Sequence, residues 1–297
     1  MPQSINEVLS LTTPSPLDLF RPDWDGAETL TIYIKRDDLI HPVISGNKWR
    51  KLSSIFADTR DIPSHIVSFG GGYSNHLHAL GYLCNVLNIR CTAIVRGDYS
   101  QNMTPMLSDL KHWSTDIQFV DRATYARRHD ERFVHQLRQQ HKGALIVPEG
   151  GSASTALSGL KMMMDEISVS FDYILAPVAS GATLAGIASS LPLNKKACGI
   201  AVLKGQEYLE SLVSDLIPHQ CDNWSIDHRF HGGSYAKKDK TLLDFCYEMR
   251  DMYNIPVEPV YSGKLFFALK NKIAAGEFPA GSRIIVLHTG GLQGARN

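Results

Sequence analysis

Short runs of apolar and β-branched residues recur along this chain, separated by longer segments with the periodicity of amphipathic helices. That alternation constrains the fold more than any other feature. TIYIK (31–35), HIVSF (65–69), CTAIV (91–95), DIQFV (116–120), ALIVP (144–148), YILAPV (173–178), CGIAVL (198–203) and RIIVLH (283–288) read as strands. Several are apolar on both faces, as strands covered by helices on each side must be. Between them NKWRKLSSIFAD (47–58), SNHLHALGYLCNVLN (74–88), ATYARRHDERFVHQLRQQH (123–141) and SASTALSGLKMMMDEI (152–167) read as helices. Strand, helix and strand in repetition predict an α/β protein with mostly parallel sheets. At 297 residues the chain is long enough for two domains, yet no linker, repeat or low-complexity tract divides it. A second domain is therefore expected where the chain leaves one sheet and later returns to it.

Composition narrows the function classes. Thirty Lys and Arg against thirty Asp and Glu give a formal net charge of zero, which argues against a nucleic-acid binder held by a basic face. No apolar run approaches the roughly 18 residues of a membrane span. The opening MPQSINEVLSLTTPSPL lacks the basic start and apolar core of a secretion signal. The five cysteines, Cys84, Cys91, Cys198, Cys221 and Cys246, form no CxxC pair. They read as free thiols of a cytoplasmic protein, and neither a disulfide framework nor a metal site is expected.

Parallel sheets bind ligands at the carboxyl ends of their strands, where loops feed helix N-termini. Four such junctions, 45–52, 68–78, 178–186 and 288–291, are rich in glycine and small polar residues. In SGNKWRKL (45–52), Lys48 opens a helix whose start favours negative charge, yet Lys48, Arg50 and Lys51 crowd it. One reading is a solvated basic turn. The other is an amine nucleophile whose pKa is lowered by burial and neighbouring positive charge. The segment is not a P-loop, for it lacks the glycine-rich run and the GK[ST] ending.

In SFGGGYSNHLHALG (68–81), three glycines admit a ligand to the backbone, Ser74 is a natural helix cap, and Asn75 adds a neutral donor and acceptor. A nucleophile elbow fails here, because GxSxG needs a glycine two residues after the serine. A metal shared by His76 and His78 fails too, since an i, i+2 pair on a helix faces different ways. In APVASGATLAG (176–186), Ala179, Ser180, Gly181, Ala182 and Thr183 form a loop of backbone N–H groups before a helix. Such a loop cradles phosphate without a basic side chain; tight strand–helix packing is the alternative. HTGGLQG (288–294) sets Thr289 after the last strand, and EPVYSGKL (258–265) sets Tyr261 and Ser262 before another helix. No GxGxxG follows a strand, which leaves a nucleotide-dependent dehydrogenase unsupported.

KRDDL (35–39), SGNKWRKL, GGGYSNH, PEGGS (148–152), VASGATLAG, PVYSGK and HTGG occur in the order seen in pyridoxal-phosphate enzymes of fold type II. From about residue 30 to 294 the chain resembles that class, and within it the D-cysteine desulfhydrase and 1-aminocyclopropane-1-carboxylate deaminase group. The resemblance implies a tryptophan synthase β-like α/β fold. Two domains would each hold a mostly parallel twisted sheet flanked by helices, with the cofactor in the cleft between them. Residues 1–49 and 161–297 would form the large cofactor-binding domain, and 50–160 a small domain inserted in it. The implied cofactor is pyridoxal 5'-phosphate, carried by Lys48. Asn75 would lie beside its 3-hydroxyl, the loop 179–183 on its phosphate, Ser74 near the substrate's carboxylate and reacting carbon, and Tyr261 over the reaction site. The usual form of the loop is nearer GSGGT, so Val178, Ala179 and Ala182 depart from it. Alanine can serve there if no positive φ is required.

Deaminases of this type carry glutamate after the tyrosine and leucine in the last loop (VYEG and HLGG). Here those positions are Ser262 and Thr289, the two candidates to partner the pyridine nitrogen. A carboxylate there would keep the nitrogen protonated and strengthen the electron sink. A hydroxyl leaves a weaker sink, adequate when a good leaving group such as thiolate departs from Cβ. The expectation is α,β-elimination from a small amino acid, D-cysteine first, giving pyruvate, ammonia and hydrogen sulfide. Lys48, or another base near the ring, would take the Cα proton, Ser74, Asn75 and His76 would hold the carboxylate, and Tyr261 would aid proton transfer. Three alternatives stand beside it. They are a cyclopropane deaminase giving 2-oxobutanoate and ammonia, an eliminase of another D-amino acid such as D-serine, and a non-catalytic protein that keeps the fold. Retention of Lys48 argues against the last. The resemblance also implies a homodimer, and a chain short for the family, with compact connections near 97–103 and 230–240.

Overall fold

A computed structural model describes residues 5–44, 46–56, 62–152, 156–218, 221–233 and 239–296. Parts of four sequence expectations lie outside those residues: 45 of the first junction, 57–58 of the first helix, 153–155 of the fourth, and 234–238 of the second compact connection. Among the described residues ten strands form. In chain order they are Leu17–Phe20 (β1), Thr31–Lys35 (β2), His65–Gly71 (β3), Arg90–Arg96 (β4) and Asp116–Val120 (β5), then Leu145–Val147 (β6), Tyr173–Val178 (β7), Lys196–Ala201 (β8), Trp224–Asp227 (β9) and Arg283–Leu287 (β10).

The strands build two sheets. One has the order β1-β2-β10-β7-β8-β9 and is parallel except for the β1–β2 pair; the other, β5-β4-β3-β6, is parallel throughout. The chain therefore starts the larger sheet, builds the smaller one between residues 65 and 147, and returns. Successive strand residues point to opposite faces, and both faces are covered. Ile284 and Val286 pack with helices Lys240–Tyr253 and Ser262–Ala274, while Ile285 and Leu287 pack with helices Ala156–Asp165 and Ala182–Ser190. In the smaller sheet Ile66 faces Leu80 and Leu83 of helix Asn75–Val86, and its neighbour Val67 faces Leu137 of helix Glu131–Gln140.

The differences from the sequence reading have local causes. The expected helix over 123–141 breaks into Arg122–Ala126, a 3-10 turn and Glu131–Gln140, because Asp130 caps a new helix by accepting from the Phe133 N–H. The strands β1 and β9 are short edge strands whose exposed residues hide the periodicity. All five cysteines are free. No helix among the described residues is long and apolar enough to cross a membrane.

Candidate active site

The first junction is the hub. Gly46 sits at φ 65°, which favours glycine, and a Cβ there would lie 1.7 Å from the Thr289 carbonyl oxygen. That packing joins the first junction to the fourth. Helix Asn47–Leu52 then sends successive side chains to different partners. Asn47 Nδ2 donates to Thr183 Oγ1 at 2.9 Å, Lys48 Nζ donates to Asn47 Oδ1 at 2.5 Å, and Lys51 Nζ donates to Ser180 Oγ at 3.4 Å. Arg50 turns into the interior. Its guanidinium holds Asp37 at 2.9 Å and Glu166 at 2.6 Å, and Glu166 also accepts from Lys35 Nζ at 2.5 Å. A solvated basic turn is thereby excluded, for Arg50 and Lys51 are both buried.

Burial lowers the Lys48 amine to about 8, against the opposing charge of Glu258. Neighbouring positive charge leaves its mark on Lys51 instead: burial, then the Lys48 charge, pushes Lys51 well below its ordinary value. Half-buried Lys48 lines a narrow pocket with Asn75, His78, Gly291, Gln293, Pro42 and Val43. The Tyr261 ring centroid is 6.0 Å from Lys48 Nζ.

At the second junction β3 ends in glycine, and Ser74 caps the next helix by accepting from the Leu77 N–H at 3.2 Å. Asn75 points to the C-terminal segment, where its Oδ1 accepts from Gln293 Nε2. His76 does not join the pocket. Ser68 Oγ donates to the Val147 carbonyl at 2.8 Å, so it accepts from His76 Nε2, also at 2.8 Å, and Nδ1 is left as a buried bare acceptor. Burial, with the charges of Lys48 and Lys51, lowers this imidazole to about 3. A neutral ring with its one N–H already engaged has no donor for a carboxylate. His78 lines the pocket but has a different partner from His76, with Nε2 2.7 Å from Asp109 Oδ2, and no group of three or more metal-ligating side chains occurs among the described residues.

At the third junction Gly181 alone takes a positive φ, 77°, while Ala179 and Ala182 keep ordinary backbone. The two alanine departures therefore cost no backbone strain. Ser180 Oγ accepts from Ser152 Oγ at 2.7 Å, bringing the PEGGS turn to the loop. Buried Lys51 has only the neutral Ser180 hydroxyl as a hydrogen-bond partner among the described residues. A buried amine with no anionic partner, beside a loop that opens a helix, would regain its charge next to an anion, and the phosphate of a phosphorylated aldehyde would supply one. The residues fit that cofactor: Ser180, Gly181, Ala182, Thr183 and Lys51 at its phosphate end, and Lys48 at its carbonyl.

Ser262 is fully buried and belongs to a polar knot the sequence reading missed. Its Oγ accepts from the Glu258 N–H at 3.0 Å and lies 3.3 Å from Glu258 Oε1. The Glu258 carboxylate accepts from the N–H groups of Val260, Tyr261 and Ser262 at 2.7, 2.7 and 2.8 Å. Burial raises the Glu258 carboxyl and those donors oppose the rise. Thr289 is buried at the end of β10, packed on Gly46. Gln293 and Arg296 were also missed. Arg296 Nη2 reaches Asp109 Oδ2 at 2.5 Å, so the C-terminal segment straps the larger sheet to the smaller across Asn75. Nothing local marks either residue; only the glycines before them hint at a turn.

A parallel α/β frame that gathers a lowered amine and an anion loop at its strand ends defines an enzyme built around a bound cofactor. A family model described as pyridoxal-phosphate dependent enzyme matches residues 11–290, and the chain belongs to that family. A Pyrococcus horikoshii protein named as a candidate 1-aminocyclopropane-1-carboxylate deaminase is 28% identical over 280 residues, covering 89% of this chain and 85% of that one. An Arabidopsis thaliana bifunctional D-cysteine desulfhydrase/1-aminocyclopropane-1-carboxylate deaminase is 27% identical over 89% of this chain and 73% of its own. A Salmonella choleraesuis D-cysteine desulfhydrase is 24% identical over 94% and 92%. Among solved structures, an ACC deaminase homologue superposes with a TM-score of 0.79 at 23% identity, covering 99% of this chain and 97% of that one.

Proposed function

We propose that this protein is a lyase that eliminates the β-substituent of a small amino acid, with D-cysteine as its substrate. D-cysteine and water would give pyruvate, ammonia and hydrogen sulfide. The observation that carries the reading is the Lys48 amine, lowered to about 8, in a narrow pocket with Asn75 and close to Tyr261. When bound, pyridoxal phosphate supplies an electron sink that stabilises negative charge at Cα. Lys48 would hold it, and the Lys48 amine would take the Cα proton, which a neutral amine can do near pH 8. Ser74 and Asn75 orient the substrate carboxylate by hydroxyl and amide, with no cation required. Tyr261 carries a proton to or from the Cβ substituent. Ser180, Gly181, Ala182, Thr183 and Lys51 would hold its phosphate, and Ser262 and Thr289 are the hydroxyls that would partner its pyridine nitrogen. Residues 50–160 act as the smaller domain of the cleft.

A second reading, 1-aminocyclopropane-1-carboxylate deaminase activity, is favoured by one observation. Glu258 keeps a carboxylate within hydrogen-bond reach of Ser262, so acid is not missing from that end of the site. The test is sulfide release from D- and L-cysteine alongside 2-oxobutanoate release from the cyclopropane substrate. The reading expects sulfide from D-cysteine and loss of both turnover and the visible cofactor band in Lys48→Ala. Turnover of the cyclopropane alone would replace it with the second reading.

A further inference from the structure

The carboxyl edge of the smaller sheet carries another opening, distinct from the pocket beside Lys48. It is a cleft of about 290 Å³ lined by Arg96, Arg122, Tyr125, Ala126 and Arg128. Arg96 is the last residue of β4, and Arg122 lies two residues beyond the end of β5. Open parallel sheets take their ligands at this edge. Buried Tyr125 packs against two of the arginines: the guanidinium carbons of Arg96 and Arg128 stand 5.6 and 4.8 Å from its ring centroid.

The charges in the cleft do not balance. Glu149 accepts from Arg128 Nε at 2.6 Å and from the Tyr125 hydroxyl at 2.7 Å, so it accounts for one of the three cations. Asp121, beside Arg122, is turned away to the N–H groups of Ala123 and Thr124 and to the Thr124 hydroxyl. Arg96 and Arg122 have no carboxylate partner among the described residues. Arg96 and Arg122 are exposed, so water screens their charges, yet both guanidinium groups line one concavity and are open to an anion from solution. Their planar forks match the oxygens of phosphate or carboxylate. The cleft is open to solvent and has room for a small metabolite.

We propose that this cleft binds a small dianion, either a phosphate monoester or a dicarboxylate, held by Arg96, Arg122 and Arg128 beside Tyr125. Arg96 also borders β3, the strand that leads to Ser74 and Asn75. A terminal nitrogen of Arg96 lies 3.8 Å from where a Gly71 Cβ would stand, and the Gly71 carbonyl accepts from the Ser74 N–H at 3.1 Å. An anion that draws Arg96 toward itself moves a group resting on the segment that presents Ser74 and Asn75. The site does not depend on which amino acid the enzyme consumes.

The test is calorimetric titration of the cofactor-loaded protein, whose own phosphate site is then filled, with glycerol 3-phosphate and separately with succinate, at ionic strength matched by sodium chloride. One saturable site for either probe is expected, and the probe preferred identifies the ester or the dicarboxylate. Arg96→Met and Arg122→Met should each weaken binding about tenfold or more, with the visible cofactor band and the melting temperature unchanged. No saturable heat with either probe would overturn the proposal. So would binding that persists in both variants, or heat that sodium chloride alone reproduces.

Discussion

Lys48 and Glu258 set the chemistry at the scale of single residues. Burial brings the Lys48 amine to about 8, and the Glu258 charge restrains the fall. An amine reacts with a carbonyl only when unprotonated, so the rate at which cofactor-free protein takes up pyridoxal phosphate should rise with pH through an inflection near 8. Stopped-flow absorbance between pH 6 and 9.5 measures it. Removing the opposing charge in Glu258→Gln should move the inflection to lower pH; a rate flat across that range would show that Lys48 is not the reacting amine. Residue chemistry also separates His76 from its neighbours. His76 sits in the same motif as Ser74 and Asn75, and only its bond to Ser68 reveals that its single N–H is already engaged.

Elements decide how these side chains are aimed. Ser74 begins helix Asn75–Val86 and lends its hydroxyl to the Leu77 N–H. Ser74→Ala should therefore lose about 1 kcal/mol of stability through the cap, read as a lower urea midpoint. A drop in kcat/KM beyond that loss would report its contact with substrate, and unchanged kinetics would confine Ser74 to capping. Gly46→Ala should be worse for activity. Its Cβ would fall 1.7 Å from the Thr289 carbonyl oxygen at φ 65°, so helix Asn47–Leu52 has to shift and carry Lys48 with it. Restored spectra and kinetics in that variant would contradict the hub role of the first junction. Most strands were legible because burial on both faces writes apolar runs into the sequence. The edge strands β1 and β9 and the break at Asp130 were not, because an exposed strand carries little periodicity and a cap is one residue long.

Across the whole molecule a buried ion network ties remote segments together. Arg50, Asp37, Glu166 and Lys35 come from three separate stretches of chain, and Ser15 joins them from a fourth. Arg50→Met leaves the Asp37 and Glu166 carboxylates without that partner, and should cost about 3–5 kcal/mol by urea unfolding. Burial raises Glu166, but its bonds to Arg50 and Lys35 outweigh that and hold it below 4.5. Its contribution is thus complete above the ordinary carboxylate range and lost as pH falls through the lowered value. The variant should therefore lose stability at pH 7 and much less of it at pH 3; an equal loss at both would rule out the charge network as the cause.

From the sequence alone came what local chemistry dictates: the alternation that makes parallel sheets, the small-residue junctions at strand ends, and Lys48 among them. Those features are written in consecutive residues, because strands, caps and anion loops are short-range objects. Tertiary structure alone decided which junctions meet. It closed Gly46 on Thr289, set Lys51 against Ser180, turned His76 inward, put Glu258 behind Ser262 and drew Gln293 to Asn75. Each of those contacts depends on where the chain returns after many residues, and the burial that shifts a pKa exists only once those segments have packed.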